Sequence, residues 1–405
     1  MSKHMEKLQP VESIELAAPT GQVEFESAIV DALNLDSWSL GQNMREVYER
    51  MEREVRESVE NEELSVKTVR NEIMPKILKK APVPRDVAQF QFTEQHIEKA
   101  HRGLLFNGAT EAADGTIVSH DTLPLTITQI GVCLVSYNGE QGSYMHRIYR
   151  KDLKIKGENS QEELLNLLDL LEVRKLRGGQ GQEDEGIHFK SALAQRGLMA
   201  YAERAILMEK STAKWRMGHG NPFPYELLTS FWASRPDMTR AAISLFEKIV
   251  QYERFVFVPS APSRRELLTV GGALNPLEYI IVSSLEKELE RILENGGVRG
   301  EMRRMQEAFK SEYGDRVVIG LFKASKFTPP YLFYAHKDHV QTAALIAIAD
   351  SVLQGHRGFP MLVDIADNIC RSTFSPETFY SAIQQAYAEA GQPFRYLGER
   401  ETRSR

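Results

Sequence analysis

Three β-rich runs in close succession constrain this chain most: TIVSH at 116–120, ITQIGVCLVSY at 127–137 and SYMHRIYR at 143–150. Asn138-Gly139 sits between the last two, and that dipeptide supplies the positive φ angles of a tight hairpin turn. Asp114-Gly115 leads into the first run. The spacing predicts an antiparallel meander. Further on, the pattern changes. A short strand with irregular backbone is expected at 215–225, and continuous apolar strands at 255–260 (FVFVPS), 316–322 (RVVIGLF) and 331–336 (YLFYAH). Helical periodicity fills 187–213, 238–252, 275–295, 297–312, 338–354 and 376–390. FPMLVDI at 359–365 reads as a strand passing into a helix. A meander followed by alternating strands and helices is a mixed α/β pattern with a partly antiparallel sheet.

At 405 residues the chain is long enough for two or three domains of roughly 100–200 residues, or for one domain with large insertions. Apolar residues are 42% and charged residues 26%, which excludes a wholly disordered chain, a collagen-like fibre and a membrane bundle. The net charge of −6 excludes a histone-like binder but leaves local basic patches open. Cys133 and Cys370 are the only cysteines, so a disulfide framework and a Cys-rich zinc site are excluded. Both lie in apolar surroundings and read as buried free thiols. No run reaches the ~18 apolar residues of a membrane span, and the N-terminus lacks the apolar core of a signal peptide. A cytoplasmic protein that spans no membrane is expected.

Residues 1–100 are expected to form a mainly helical N-terminal extension. In 39–80 Met44, Val47, Met51 and Val55 recur at amphipathic spacing, and Pro82 and Pro84 mark a break near 85. Residues 101–405 form the main body, with a helical insertion around 270–315. A further helix at 160–176 and an exposed loop at 178–186 (GGQGQEDEG) lie between the meander and the second half.

The chain has no GxxxxGK[ST] loop, no GxGxxG after a strand, no HExxH and no GxSxG. A self-contained P-loop ATPase, a dinucleotide enzyme of the usual kind, a zincin and an α/β hydrolase are thereby disfavoured. What remains is scattered acid and histidine: Asp114 at the first strand, Glu203 in AYAERAIL, His219 in WRMGHG, and Asp364 and Asp367 in MLVDIADNIC. Singly, Asp114 reads more simply as a turn residue, Glu203 as a surface acid and Asp367 as a helix N-cap. Arg204 and Glu209 read as the solvated side of the Glu203 helix. Together, an Asp on the first strand, an acid on a helix and an acid or His at strand ends are how ribonuclease-H-type nucleases hold metal. Mg²⁺ and Mn²⁺ favour carboxylate oxygens, and Mn²⁺ tolerates an imidazole.

Over roughly residues 105–400 these features resemble the NurA family of DNA-end-processing nucleases. That family opens its nuclease core with Asp-Gly-Ser, here Asp114-Gly115-Thr116. A helix-borne Glu, here Glu203, is followed in the family by Asp-Gly at a strand end, where this chain has His219-Gly220. The family's Tyr-Pro, apolar run and Ala-His become Phe359-Pro360 and Ala366-Asp367. The Asp and His positions are thus exchanged, and a tyrosine hydroxyl is missing at Phe359.

The resemblance implies a ribonuclease-H-like core with helical additions, residues 101–405 being a NurA-like nuclease domain. It implies a DNA nuclease dependent on Mn²⁺ or Mg²⁺ and exonucleolytic from an end. Asp114, Glu203, His219 and Asp367 would be both catalytic residues and metal ligands. It implies a homodimer working with a hexameric HerA-type ATPase, in DNA repair or in antiphage defence.

Basic side chains at strand ends are candidate DNA contacts: Arg264 and Arg265 in VPSAPSRREL, and Lys323 and Lys326 in FKASKFTPPY. The run RIYRKDLKIK at 147–156 suits backbone contact or a guarded edge strand. His336, Asp338 and His339 form a weaker metal candidate that also reads as a helix start. Two other function classes stay open. One is a NurA-like subunit without catalysis that binds DNA or the motor. The other is a phosphatase or nucleotide-processing enzyme using the same carboxylates on a small substrate.

Overall fold

The computed structural model describes residues 29–30, 32–38, 44–122, 125–150, 192–229, 236–260, 265–295 and 298–395. The expected helix at 160–176, the loop at 178–186, Arg264 and the basic C-terminal tail lie outside these residues. The chain divides into two units, Met1–Ser65 and Val66–Arg405. Helix α1 spans Met44–Thr68. Met44, Val47, Met51 and Val55 are exposed on it. Helices of seven residues or more are numbered in chain order.

The second unit is built on one nine-stranded mixed sheet in the order β1-β7-β8-β9-β6-β5-β2-β3-β4. The meander is present as expected: β2 (Thr110–Asp121), β3 (Thr126–Ser136) and β4 (Gly139–Arg150) pair antiparallel. Gly139, at the β3–β4 turn, has φ 120°. Beside the meander, β5 (Trp215–His219) runs parallel to β2, and β6 (Phe255–Val258) parallel to β5. The order β6-β5-β2-β3-β4, with only β3 reversed, is the ribonuclease-H-like arrangement. The far half adds β1 (Gln89–Gln91), β7 (Glu278–Ser284), β8 (Val317–Lys323) and β9 (Tyr331–His336), all antiparallel to their neighbours.

Two expectations are corrected. EYIIVSS, expected inside a helix over 275–295, is strand β7, and only Leu285–Asn295 is helical. A short apolar run can be a buried strand or a buried helix turn, and β-branched Ile280, Ile281 and Val282 favour the strand. Conversely, FPMLVDI is no strand. Pro360 caps helix α9 (Met361–Thr373), and Leu362, Val363, Ala366 and Cys370 form its buried stripe.

Helices cover both faces of the β2–β3 ladder. Successive strand side chains point to opposite faces. Gly115 faces helix α3 (Ala192–Lys210), because a Cβ there would stand 2.6 Å from Glu203 Oε1. On the opposite face, a Cβ at Gly131, paired with Thr116, would strike the Phe374 ring just beyond α9. Helix α8 (Val340–Val352) has nine buried residues, seven of them apolar with Asp350 and Ser351 the others, and packs under the central strands. Helix α4 (Pro236–Tyr252) and helix α7 (Gly300–Tyr313) close the core through the rings of Phe223, Phe246 and Phe309. Both cysteines are free and buried, and no described helix is long and apolar enough to cross a membrane.

Phe246 is fully buried, with ring centroids 5.2 Å from Phe223 and 5.9 Å from Phe309. Phe246→Ala is expected to lower unfolding stability by ~3–5 kcal/mol through lost burial and the cavity left behind. Urea denaturation checks it, and a loss below ~1 kcal/mol would contradict this packing.

Candidate functional site

The register of β2 against β5 creates the site. Pairing runs from Thr110 opposite Trp215 to Ala113 opposite Gly218. There β5 ends at His219 while β2 continues, so Asp114 stands where a neighbouring strand has just departed. His219 Nδ1 lies 3.5 Å from Asp114 Oδ1, at the outer limit of a hydrogen bond. Parallel β5 and β6 end beside it, the usual place for a site in an α/β sheet.

Glu203 arrives from α3. Gly115 has no side chain to block it, and that is why glycine is required there. Glu203 is not a surface acid: it is 7% exposed, and Asp114 is 5% exposed within strand β2 rather than in a turn. Burial and then the Asp114 charge push the Glu203 carboxyl up to about 7, against the pull of Arg204 and His219. For His219, burial pushes the pKa down, but the Asp114 hydrogen bond and charge outweigh it, with Glu203 adding, and the net direction is upward.

Arg204 reverses the expectation of a solvated side chain: it is 3% exposed. Its five N–H groups are all spent inside the protein. Nη1 donates to Ala200 O at 2.7 Å and to Glu203 Oε2 at 3.0 Å. Nη2 donates to His219 O at 3.1 Å and Asn221 O at 2.5 Å, and Nε to Asn221 O and Pro222 O, both at 3.2 Å. Glu209 is exposed as expected, paired with Lys248 at 2.6 Å.

Asp367 lies on α9, seven residues into the helix and not at its N-cap. Its carboxylate accepts from Arg371 Nε at 2.7 Å. Burial, then Asp114 repulsion, push its pKa up, opposed by Arg371 and His219. Asp364, one turn earlier, pairs with Arg357 at 2.7 Å. The position of α9 depends on Asp350, a residue that sequence reasoning passed over. Asp350 is fully buried and accepts hydrogen bonds from the Tyr137 hydroxyl and from Leu362 N, the latter at 2.8 Å. Burial raises its pKa to about 6.

Asp114, Glu203 and His219 are thus brought together, with Asp367 within electrostatic reach. In donor chemistry the set fits a hard divalent cation: three carboxylates and an imidazole, with the Asp114 charge pushing the Glu203 and Asp367 carboxyls upward. As the side chains stand, Asp367 is turned to Arg371. Among the described residues no three His, Cys, Asp or Glu side chains are spaced as a metal-holding group. This includes His336, Asp338 and His339. His336 Nδ1 accepts from Asp338 N at 3.3 Å as a turn cap, and His339 pairs with Glu253 at 3.3 Å.

A cleft of about 400 Å³ opens beside Glu203 and His219, lined also by Arg196, Tyr225, Glu288 and Tyr334. Of the basic residues, Arg265 opens helix α5 (Arg265–Gly272). Lys323 ends β8 and donates to Gly272 O at 3.3 Å, and Lys326 is exposed in the loop that follows.

No protein-family model matches the chain, and no curated protein matches it by sequence. The fold matches solved NurA nuclease structures over most of its length at low identity. The NurA nuclease from Sulfolobus solfataricus is 10% identical, covering 85% of this chain and 98% of that one, with a TM-score of 0.43. NurA bound to dAMP and manganese is 9% identical, covering 82% and 95%, at 0.35. Endonuclease V of Ciona intestinalis, in complex with a 24-mer DNA containing an inosine, is 13% identical, covering 65% and 84%, at 0.23.

The raised Glu203 pKa makes the metal-free protein pH-sensitive. A carboxyl raised from its ordinary value of ~4.3 to about 7 favours folding while protonated, and that contribution is lost as pH climbs through 7. His219 and Asp350, both raised, act in the same direction. Between pH 6 and pH 8 the wild type is therefore expected to lose more thermal stability, or gain less, than Glu203→Gln, because the lowered Cys133 and His336 act in the opposite direction in both proteins. An equally steep dependence in the variant would contradict the assignment.

Proposed function

We propose that this protein is a divalent-metal-dependent DNA nuclease of the NurA type, hydrolysing phosphodiesters exonucleolytically from an end. The observation that carries the reading is the meeting of Asp114, Glu203 and His219 where β5 leaves β2. Asp114, Glu203, His219 and Asp367 would hold Mn²⁺ or Mg²⁺. A bound ion of this kind polarises a phosphoryl oxygen and lowers the pKa of attacking water. Asp114 Oδ1, 3.5 Å from His219 Nδ1, would help orient its imidazole. Glu203, held by Arg204, supplies a second carboxylate in a water-poor setting where its charge acts strongly. Asp367 joins the set by exchanging Arg371, whose ion pair is largely exposed and weak.

Arg264, Arg265, Lys323 and Lys326 are proposed as DNA contacts; Lys323 ends β8 and Lys326 is exposed in the loop that follows. A homodimer serving a separate hexameric HerA-type ATPase, in DNA repair or antiphage defence in the cytoplasm, extends the reading from the sequence resemblance. The Asp367–Arg371 pair favours one rival: a NurA-like subunit without catalysis that binds DNA or the motor.

A nuclease assay on end-labelled linear and circular DNA separates the two. It is run with Mn²⁺ and Mg²⁺, with and without the motor. The nuclease reading predicts metal-dependent loss of linear DNA, reduced at least ~10²-fold in Asp114→Ala. Absence of cleavage in every condition, with the motor still bound, would establish the rival.

A further inference from the structure

Phe327 is 85% exposed, more than any other large apolar side chain among the described residues. Single exposed apolar residues are ordinary on protein surfaces, so exposure alone carries nothing. What sets Phe327 apart is the rigidity and the place of the loop that presents it.

The loop 324–330 joins β8 to β9. Ser325 N donates to Thr328 Oγ1 at 3.1 Å, Thr328 Oγ1 donates back to Ser325 O at 3.3 Å, and Phe327 N donates to Ser325 Oγ at 3.2 Å. Pro329 and Pro330 restrict the backbone that follows. Thr328 is 4% exposed and seated against Gly358, where a Cβ would come within 2.5 Å of the Thr328 Cβ. Gly358 has φ 65°, which glycine adopts without strain. The loop is therefore stapled with its aromatic ring turned outward.

The staple also fixes the loop beside the site. Gly358 precedes Phe359, whose ring centroid is 5.9 Å from that of His219 and 5.4 Å from that of Tyr331 at the start of β9. Lys326, next to Phe327, is exposed. A rigid outward aromatic, an adjoining ammonium and a carboxylate–imidazole site linked to the loop through Thr328, Gly358 and Phe359 match what single-stranded DNA offers: stackable base faces along a phosphate chain.

We propose that Phe327 is a stacking platform for a nucleobase of the DNA strand entering the site, with Lys326 on an adjoining phosphate. This rests on the nuclease reading and adds to it a contact that orients the strand. The base face is recognised without regard to sequence, since every base has one.

The test uses the full chain, without divalent metal, and a single-stranded oligodeoxynucleotide carrying 2-aminopurine near one end. Phe327→Ala is expected to weaken binding about 5- to 150-fold, the range set by losing one base stack. It should also relieve quenching of the 2-aminopurine. Phe327→Trp should keep both. The thermal midpoint of either variant should match the wild type, because the ring is exposed. Wild-type binding with Phe327→Ala within twofold and equally quenched would overturn the proposal and leave the nuclease reading standing. Unchanged DNA binding together with dissociation of an oligomer would overturn it in favour of a protein contact. A wild-type chain that does not bind DNA at all would overturn both.

Discussion

The buried guanidinium of Arg204 is the interaction on which the site depends. One side chain binds the carbonyl of Ala200 in its own helix, the Glu203 carboxylate, the carbonyl of His219 at the end of β5 and those of Asn221 and Pro222 beyond it. It thereby fastens the helix that carries the acid to the strand end that carries the imidazole. A lone guanidinium could not be buried at this cost. Here every N–H has an acceptor, and removing a partner from such an arrangement costs about 3–5 kcal/mol. Because no N–H is left over, Arg204 serves to hold the site together and leaves the substrate to other residues.

The second constraint is electrostatic. Glu203 and Asp367 both carry pKa values raised by burial and by the charge of Asp114. The fold assembles that repulsion deliberately from three directions: β2, α3 and α9. The Tyr137–Asp350–Leu362 hydrogen bonds seat the N-terminus of α9, so that Asp367 is held near charges it would otherwise avoid. A cation placed among these groups would turn the repulsion into attraction, and the pKa shifts would reverse.

Much of the fold was legible in the sequence because it follows from local signals. The β-branched runs and the Asn138-Gly139 turn specify the meander, and the strand-helix alternation after residue 215 specifies the rest. The structure departs from expectation where local signals are ambiguous. EYIIVSS and FPMLVDI are both short apolar runs, and only tertiary packing decides that one is a strand and the other a helix. The residue types of Asp114, Glu203 and His219 suggest a common site, and the structure shows His219 Nδ1 3.5 Å from Asp114 Oδ1 and Glu203 over Gly115. Arg204 differs from expectation because a charged residue beside a helix-borne acid usually faces water, and three of its acceptors are carbonyls 15–18 residues away that no sequence pattern marks. Asp350 carries no local signal for a similar reason: its partners Tyr137 and Leu362 are supplied by the fold.

The central claim is that Asp114, Glu203, His219 and Asp367 gather on one divalent cation. Anomalous diffraction from crystals soaked in Mn²⁺ tests it most directly. The account predicts a manganese peak bonded to Asp114, with Glu203 and His219 at ligand distance and Asp367 released from Arg371. Saturating Mn²⁺ that leaves the space beside Asp114 without a peak, with Asp367 still paired to Arg371, would contradict it.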